Sequence, residues 1–328
     1  MSQLNQAILQ TLAYADIFDY PLTSGEFYKF LICHPEAKPK DLNGILRNAQ
    51  NDNYIETDGK YYFLKGRQKI VELRKKRERW SREKLKISQR VGKWLKIIPW
   101  IKMVGITGNL AMNNADKDDD IDILIVSQKG RVWLTRLVVT ILVEFMGIRR
   151  KPSKRAKQSP CKNDEIAAAT SWPRNDENYR NKICLNMFLD EDHLAVLPKE
   201  RDLYTAHEVA QMKLLWDRGE CYRHFLIDNL WIKDYLTNGI DTKILRYYDT
   251  KRRENNKSFL SILVSQYLNI MENLVKKLQL WYMRQRRTTE MISDGVIRFH
   301  PQDARKWILK EYNSRLLTLD KNQISVVE

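Results

Sequence analysis

Five of the seven residues from Asp116 to Asp122 are aspartates, in a chain that otherwise carries 57 lysines and arginines. The run sits inside "VGITGNLAMNNADKDDDIDILIVS", Val104 to Ser127, directly before a β-branched apolar stretch. If that stretch is a strand, side chains at i and i+2 share a face, so Asp120 and Asp122 project side by side while Ile121 faces the core. Two adjacent carboxylates repel each other, and a hard divalent cation, Mg²⁺ or Mn²⁺, relieves the repulsion. Such an ion takes oxygen ligands and brings substrate phosphates with it. Upstream, Gly108 allows a ligand close to the backbone, and the short helix that follows offers free N–H groups to a phosphate. Metal and phosphate therefore meet at one point in the chain.

The elements that must position these groups can be read from periodicity. "IKMVGIT" and "IDILIVS" are strands, "RVWLTRLVVTILVEFM" is a buried helix, and "KICLNMFL" with "HLAVL" reads as a hairpin across "DED". They make residues 103–200 an α+β domain. Between them, "GIRRKPSKRAKQSPCKND" is basic and without period, a loop that exposes Arg149, Arg150, Lys151, Lys154, Arg155 and Lys157.

The flanks differ in character. Residues 1–66 give three short helices, then "NYIETDGKYYFLKG", two aromatic and β-branched runs about Asp58-Gly59, a strong hairpin signal. That order resembles a winged helix-turn-helix. Residues 67–102 read as one long connecting helix: the segment from Lys65 to Lys102 holds fifteen basic residues against three glutamates. Its apolar positions Ile70, Leu73, Trp80, Leu85, Ile87, Val91 and Leu95 form a narrow stripe, and Lys75, Lys76, Arg77 and Arg79 fall on a basic face able to track phosphates. Residues 201–328 read as a helical domain. There, "LQLWYMRQRR" interleaves aromatic and basic residues, a pattern suited to stacking beside phosphates or, alternatively, to a helix with Trp281 and Tyr282 in its core.

Composition bounds the rest. A net charge of +16 suits a polyanionic partner, either nucleic acid or an anionic surface. Cys33, Cys161, Cys184 and Cys221 lie far apart with no C-x-x-C, which argues against a disulfide framework or a zinc site and for thiols in a reducing, cytoplasmic compartment. The longest apolar run, "LVVTILVEFMGI", is too short to span a bilayer, so no membrane partner is expected.

The segment "GITGN" followed by "DDDIDILIV" resembles the motif of the DNA polymerase β-like nucleotidyltransferase superfamily, where a glycine and usually a serine precede two aspartates separated by one apolar residue. The resemblance implies an α+β core of that type, flanked here by the winged helix and the helical domain. Residue by residue, it implies that Thr107, Gly108 and Asn109 hold the phosphates of an NTP and that Asp120 and Asp122 are the catalytic metal ligands. Asn109 stands where serine is usual; its amide can still donate to a phosphate. The implied reaction is template-independent transfer of a nucleoside monophosphate to a hydroxyl, with Mg²⁺ or Mn²⁺ as cofactor. With the basic surfaces around the acidic site, the acceptor expected is a nucleic acid, RNA ahead of DNA. Nucleotidylation of a protein or small molecule and a catalytically weak nucleic-acid-binding regulator are the two alternatives.

Members of the superfamily usually supply a third carboxylate from a neighbouring strand. In "KICLNMFLDEDH" alternation sets Cys184, Asn186 and Phe188 on one face, which makes Asn186 the expected third metal ligand and Asp190 its competitor. Separately, "RGECYRH", Arg218 to His224, matches the loose arginine-to-histidine spacing of a family of helical ribonucleases and reads here as surface chemistry.

Overall fold

The computed structural model describes residues 3–32, 44, 46, 54–150, 180–241, 259–284, 291–293, 295–298 and 304–324. The fold is mixed α and β, in two sheets. The smaller has strands β1 (Leu22–Thr23), β2 (Ile55–Thr57) and β3 (Tyr61–Leu64) in the order β1-β3-β2, all antiparallel. Helices α1 (Gln3–Asp16) and α2 (Ser24–Phe30) accompany it. Thr23 and Glu26 close the start of α2 reciprocally, Thr23 accepting from the Glu26 N–H and Glu26 from the Thr23 N–H. Of the third helix expected here, only Gly44 and Leu46 are described, and both are helical.

Helix α3 (Lys69–Leu95) is the long connector that its lack of Gly and Pro before Val91 anticipates. Its buried stripe differs from the apolar one. Ile70, Val91 and Leu95 are buried as expected, but Arg74, Ser81, Lys84 and Ser88 fill the stretch between them. Each finds a polar partner: Arg74, for example, binds Glu26 at 2.8 Å, Glu78 at 3.0 Å and the Pro21 carbonyl at 3.0 Å, over the Tyr20 ring. Buried charge survives only when paired in this way.

The larger sheet, with β7 (Lys213–Asp217), β8 (Met291–Ser293) and β9 (Val296–Arg298) toward its edges, has the order β7-β4-β5-β6-β9-β8 among the described residues. Strands β4 (Ile101–Ile106), β5 (Ile121–Ser127) and β6 (Ile183–Asp190) form its centre. β5 and β6 run parallel; the other neighbours are antiparallel. Between β4 and β5 lies α4 (Gly108–Ala111), and α5 (Val132–Phe145) follows β5. One face, with Ile121, Ile123 and Ile125 of β5, packs with α5 and the end of α3; the other, with Leu124 and Val126, packs with Tyr14, Ile17 and Phe30 of the N-terminal unit.

Three segments expected to be otherwise are strands. Lys213–Asp217 (β7), expected within a helix, pairs with β4 at the sheet edge, while Met291–Ser293 (β8) and Val296–Arg298 (β9) extend the opposite edge. Among the described residues from 201 onward, α6 (Leu203–Gln211), α7 (Cys221–Asp228), α8 (Phe259–Arg284) and α9 (Ala304–Ile324) accompany these three strands of the core sheet. β6 takes β9 as its antiparallel neighbour, so "HLAVL" forms no hairpin strand. A five-residue edge strand shows too little alternation to be separated from a helix by pattern.

Candidate functional site

Asp122 stands on β5 and Asp120 immediately before it. The parallel register sets Cys184 of β6 opposite Asp122. One ligand atom from each of Asp120, Asp122 and Cys184 lies within 4.8 Å of the other two. Arg150, expected on an exposed loop, turns in instead: its Nη1 is 2.5 Å from Asp120 Oδ2 and donates to Cys184 Sγ at 3.5 Å. Its backbone is fixed there by a hydrogen bond from Arg150 N to the Ile183 carbonyl at 2.9 Å. Burial, then the neighbouring Asp120 charge, pushes the Asp122 carboxyl well above the usual carboxylate range. Burial likewise pushes the Cys184 thiol up, with Asp122 and Asp120 adding to it. For Arg150, burial opposes the charged form, but Asp120, Cys184 and Asp122 together outweigh it and raise the guanidinium's pKa.

The turn at Thr107-Gly108-Asn109 is built onto this pair. Thr107 N donates to the Asp122 carbonyl at 3.1 Å. Gly108 adopts φ +63°, and a Cβ there would stand 3.0 Å from Asp122 Oδ2. Only glycine meets both demands. Its N–H donates to the carboxylate of Glu208, a group the sequence pattern did not single out. Asn109 Nδ2 donates to Asp119 Oδ2 at 3.2 Å, and the same oxygen accepts from Asp116 N at 3.0 Å. The Asn109 amide thus serves the aspartate loop.

That loop is also held from behind. Lys84 of α3, buried, donates to the carbonyls of Asp119 at 2.6 Å and Lys117 at 3.0 Å and to Asn181 Oδ1 at 3.1 Å. Burial lowers its pKa, and Asp119 and Asp120 work against that fall. Beside the turn, a pocket lined by Tyr14, Phe18, Gly108, Asn109, His207 and Glu208 joins the N-terminal unit to the core. Burial pushes the Glu208 carboxyl up to about 7 and the His207 imidazole down to about 3. His207 stacks on Tyr14 with ring centres 3.9 Å apart. Apolar periodicity finds neither Glu208 nor Lys84; a charged residue on the inner face of an amphipathic helix is the only signal of either.

The alternation expected for β6 changes at a register shift. Asp122 pairs with Cys184 and Ile123 with Leu185, but Leu124 pairs with Met187. Asn186 is the inserted residue, and alternation resumes out of phase beyond it. Phe188, expected beside Cys184, packs instead with Ile121 and Ile123 on the opposite face. Among the described Cys, His, Asp and Glu residues, Cys184 joins Asp120 and Asp122 in the cluster; Asn186 lies buried at the bulge. Asp190 pairs with Ser127 at the far end of β5, five positions or roughly 17 Å from Asp122. There it binds His193 Nδ1 at 2.6 Å.

The proposed nucleic-acid contacts separate into surface and structure. Lys75, Lys76 and Arg79 are exposed; Lys75 also pairs with Glu72 at 2.9 Å. Arg77 is partly buried and donates to the Phe18 carbonyl at 2.9 Å and Asn114 Oδ1 at 3.3 Å, so it ties α3 to the N-terminal unit and the core. Arg149 pairs with Glu144 at 3.4 Å. Lys151, Lys154 and Arg155 lie outside the described residues. Arg218 is a loop anchor, with its guanidinium on the carbonyls of Lys96, Ile98, Pro99 and Ile101.

Set against known proteins, the chain matches no family model and no curated protein. Among the described residues, no helix is long and apolar enough to cross a membrane.

Proposed function

We propose that this protein transfers a nucleoside monophosphate from an NTP to a hydroxyl acceptor, with nucleic acid, RNA ahead of DNA, as the acceptor class. The observation that carries the reading is the packing of the Gly108 turn against Asp122, a backbone that leaves no room for a side chain beside one carboxylate of the Asp120–Asp122 pair. The donor set fits a hard cation. Asp120 and Asp122 offer carboxylate oxygens, and the pair already draws a cationic group, Arg150. They would hold Mg²⁺ or Mn²⁺, which when bound neutralises phosphate charge and activates the attacking hydroxyl.

The chain's own residues do the positioning. Lys84 and Asn109 fix the aspartate loop. Glu208 holds the Gly108 N–H, and its charge reaches Asp122. Arg150 holds Oδ2 of Asp120 and competes with a metal for that oxygen. Its planar guanidinium, once released, is suited to binding phosphate oxygens in pairs.

A second reading, an NTP-binding regulator with little or no catalysis, is favoured by two specific features. Arg150 neutralises Asp120, and a neutral thiol, Cys184, stands where a third carboxylate would complete the charge. Incubation of the protein with each labelled NTP and Mg²⁺ or Mn²⁺, with RNA, DNA or protein acceptors, separates the two. Label on RNA or DNA is the expected result. Metal-dependent NTP binding without transfer selects the regulator, label on protein selects a different acceptor class, and neither binding nor transfer overturns both readings.

A further inference from the structure

Helix α8 turns its more apolar side outward. Its inner face meets α5 through Leu268, Val275 and Met283, and also through two polar residues, Glu272 and Gln279. Glu272 accepts from the N–H groups of Trp133 and Leu134, both at 2.8 Å, at the start of α5, and Gln279 donates to the Trp133 carbonyl at 2.8 Å. The outer face carries Tyr267, Ile270, Leu274, Leu278 and Trp281, which are 63%, 60%, 54%, 59% and 67% exposed. Among the exposed residues from Gln266 to Tyr282, Lys277 is the only charge. A chain that is 30% charged has left this stripe bare. A large contiguous apolar surface on a folded protein marks a contact face.

The spacing of the stripe identifies the occupant. About Leu274, the other four positions fall at minus seven, minus four, plus four and plus seven, so the pattern reads the same in both directions. A two-fold axis through Leu274, perpendicular to the helix, brings Leu274 onto its own copy, Ile270 onto Leu278 and Tyr267 onto Trp281. That is the self-complementarity that an isologous contact demands. On a helix these offsets stay within a strip roughly 80° wide, the width of a coiled-coil seam. The same operation sets Lys277 against the uncharged Met271, so no like charges meet. With an exposed aromatic side chain offering on the order of 150 Å² and an aliphatic one on the order of 100 Å², the five cover roughly 600 Å² per copy, which brings a pair to the size of a specific interface.

We infer that the protein forms a two-fold homodimer through antiparallel pairing of α8 about Leu274. Sedimentation of the full chain at micromolar concentration gives a dimer, and Leu274→Glu, which faces two carboxylates across the axis, gives a monomer that keeps its circular-dichroism spectrum and a cooperative melt, at a midpoint that no longer depends on protein concentration. Register is tested by oxidative crosslinking. Leu274→Cys links to its own copy, whereas Tyr267→Cys links only when mixed with Trp281→Cys. A wild-type monomer overturns the inference, as does a dimer that survives both Leu274→Glu and Ile270→Glu. A monomer that loses binding to anionic phospholipid vesicles on Leu274→Glu overturns it too, and assigns the stripe to a lipid surface.

Discussion

Gly108 and Asp122 are packed so closely that a single methyl group on the glycine would stand 3.0 Å from the aspartate's Oδ2. The glycine is in the left-handed region at φ +63°, and the residue before it donates its N–H to the Asp122 carbonyl. Turn and carboxylate are thus one unit.

Gly108→Ala tests that unit. An L-residue at this φ is strained, and its Cβ must push Asp122 aside, together costing about 1–3 kcal/mol of stability. Metal-dependent NTP binding should fall further than that, by tenfold or more, because the displaced carboxylate is the proposed ligand. Thermal melts and equilibrium dialysis measure the two effects. A melt lowered as expected with NTP binding intact would separate the turn from the site.

Asp122→Asn should abolish nucleotide transfer and metal-dependent NTP binding and at the same time raise the thermal midpoint at neutral pH. Burial and Asp120 both disfavour the charged form of Asp122, so folding at neutral pH must take up a proton there, a cost that the amide does not carry. Carboxylates kept only for fold behave in the opposite way, and a lowered midpoint with full activity would remove Asp122 from the site.

Much of this site was legible because its elements carry strong local signals. The D-x-D pair shares a face as period-two geometry requires, and the glycine announces a backbone that other residues cannot adopt. What escaped the sequence depends on contacts between distant segments. The bulge at Asn186 shifts the alternation of β6, so that Met187 rather than Asn186 pairs with Leu124. Lys84 and Arg77 look like members of a basic face until the partners that hold them, the Asp119 carbonyl and the Phe18 carbonyl, are folded against α3. Charge counts along a helix do not distinguish a solvated lysine from one that fastens a loop.

That distinction predicts two different phenotypes on one helix. Lys76 and Arg79 are exposed, so replacing both by alanine should leave stability within about 0.5 kcal/mol. If they contact phosphates, each loss lowers the slope of log affinity against log salt by about 0.7 to 0.9. Arg77→Ala should instead destabilise the fold by about 1–3 kcal/mol, taking the donor from Asn114 Oδ1 and leaving the Phe18 carbonyl with the Asn114 Nδ2 donor alone. Titrations of a labelled RNA at several salt concentrations, with urea melts alongside, test both. An unchanged slope in the double variant would leave α3 a connector only.

His207 and Glu208, neighbours on α6, make opposite demands on pH. His207 falls from 6.5 to about 3 on folding, so between those values the unfolded chain holds a proton that the native state lacks, and stability drops as pH falls below 6.5. Glu208 rises from 4.5 to about 7, so between those values the native state holds the extra proton, and stability drops as pH climbs toward 7. From about 4.5 to 6.5 the two proton differences cancel, and the pair contributes a plateau with losses on either side. Removing one member should expose the slope of the other. His207→Phe, which keeps the stack on Tyr14, should lose stability steadily from pH 4.5 to 7 relative to its own value at pH 4.5, and Glu208→Gln should gain it steadily from pH 3 to 6.5, each by about 1.4 kcal/mol per pH unit at most. Urea unfolding at half-unit pH intervals measures all three curves, and profiles for the two variants that merely parallel the wild type would show that neither group is held in the state its burial implies.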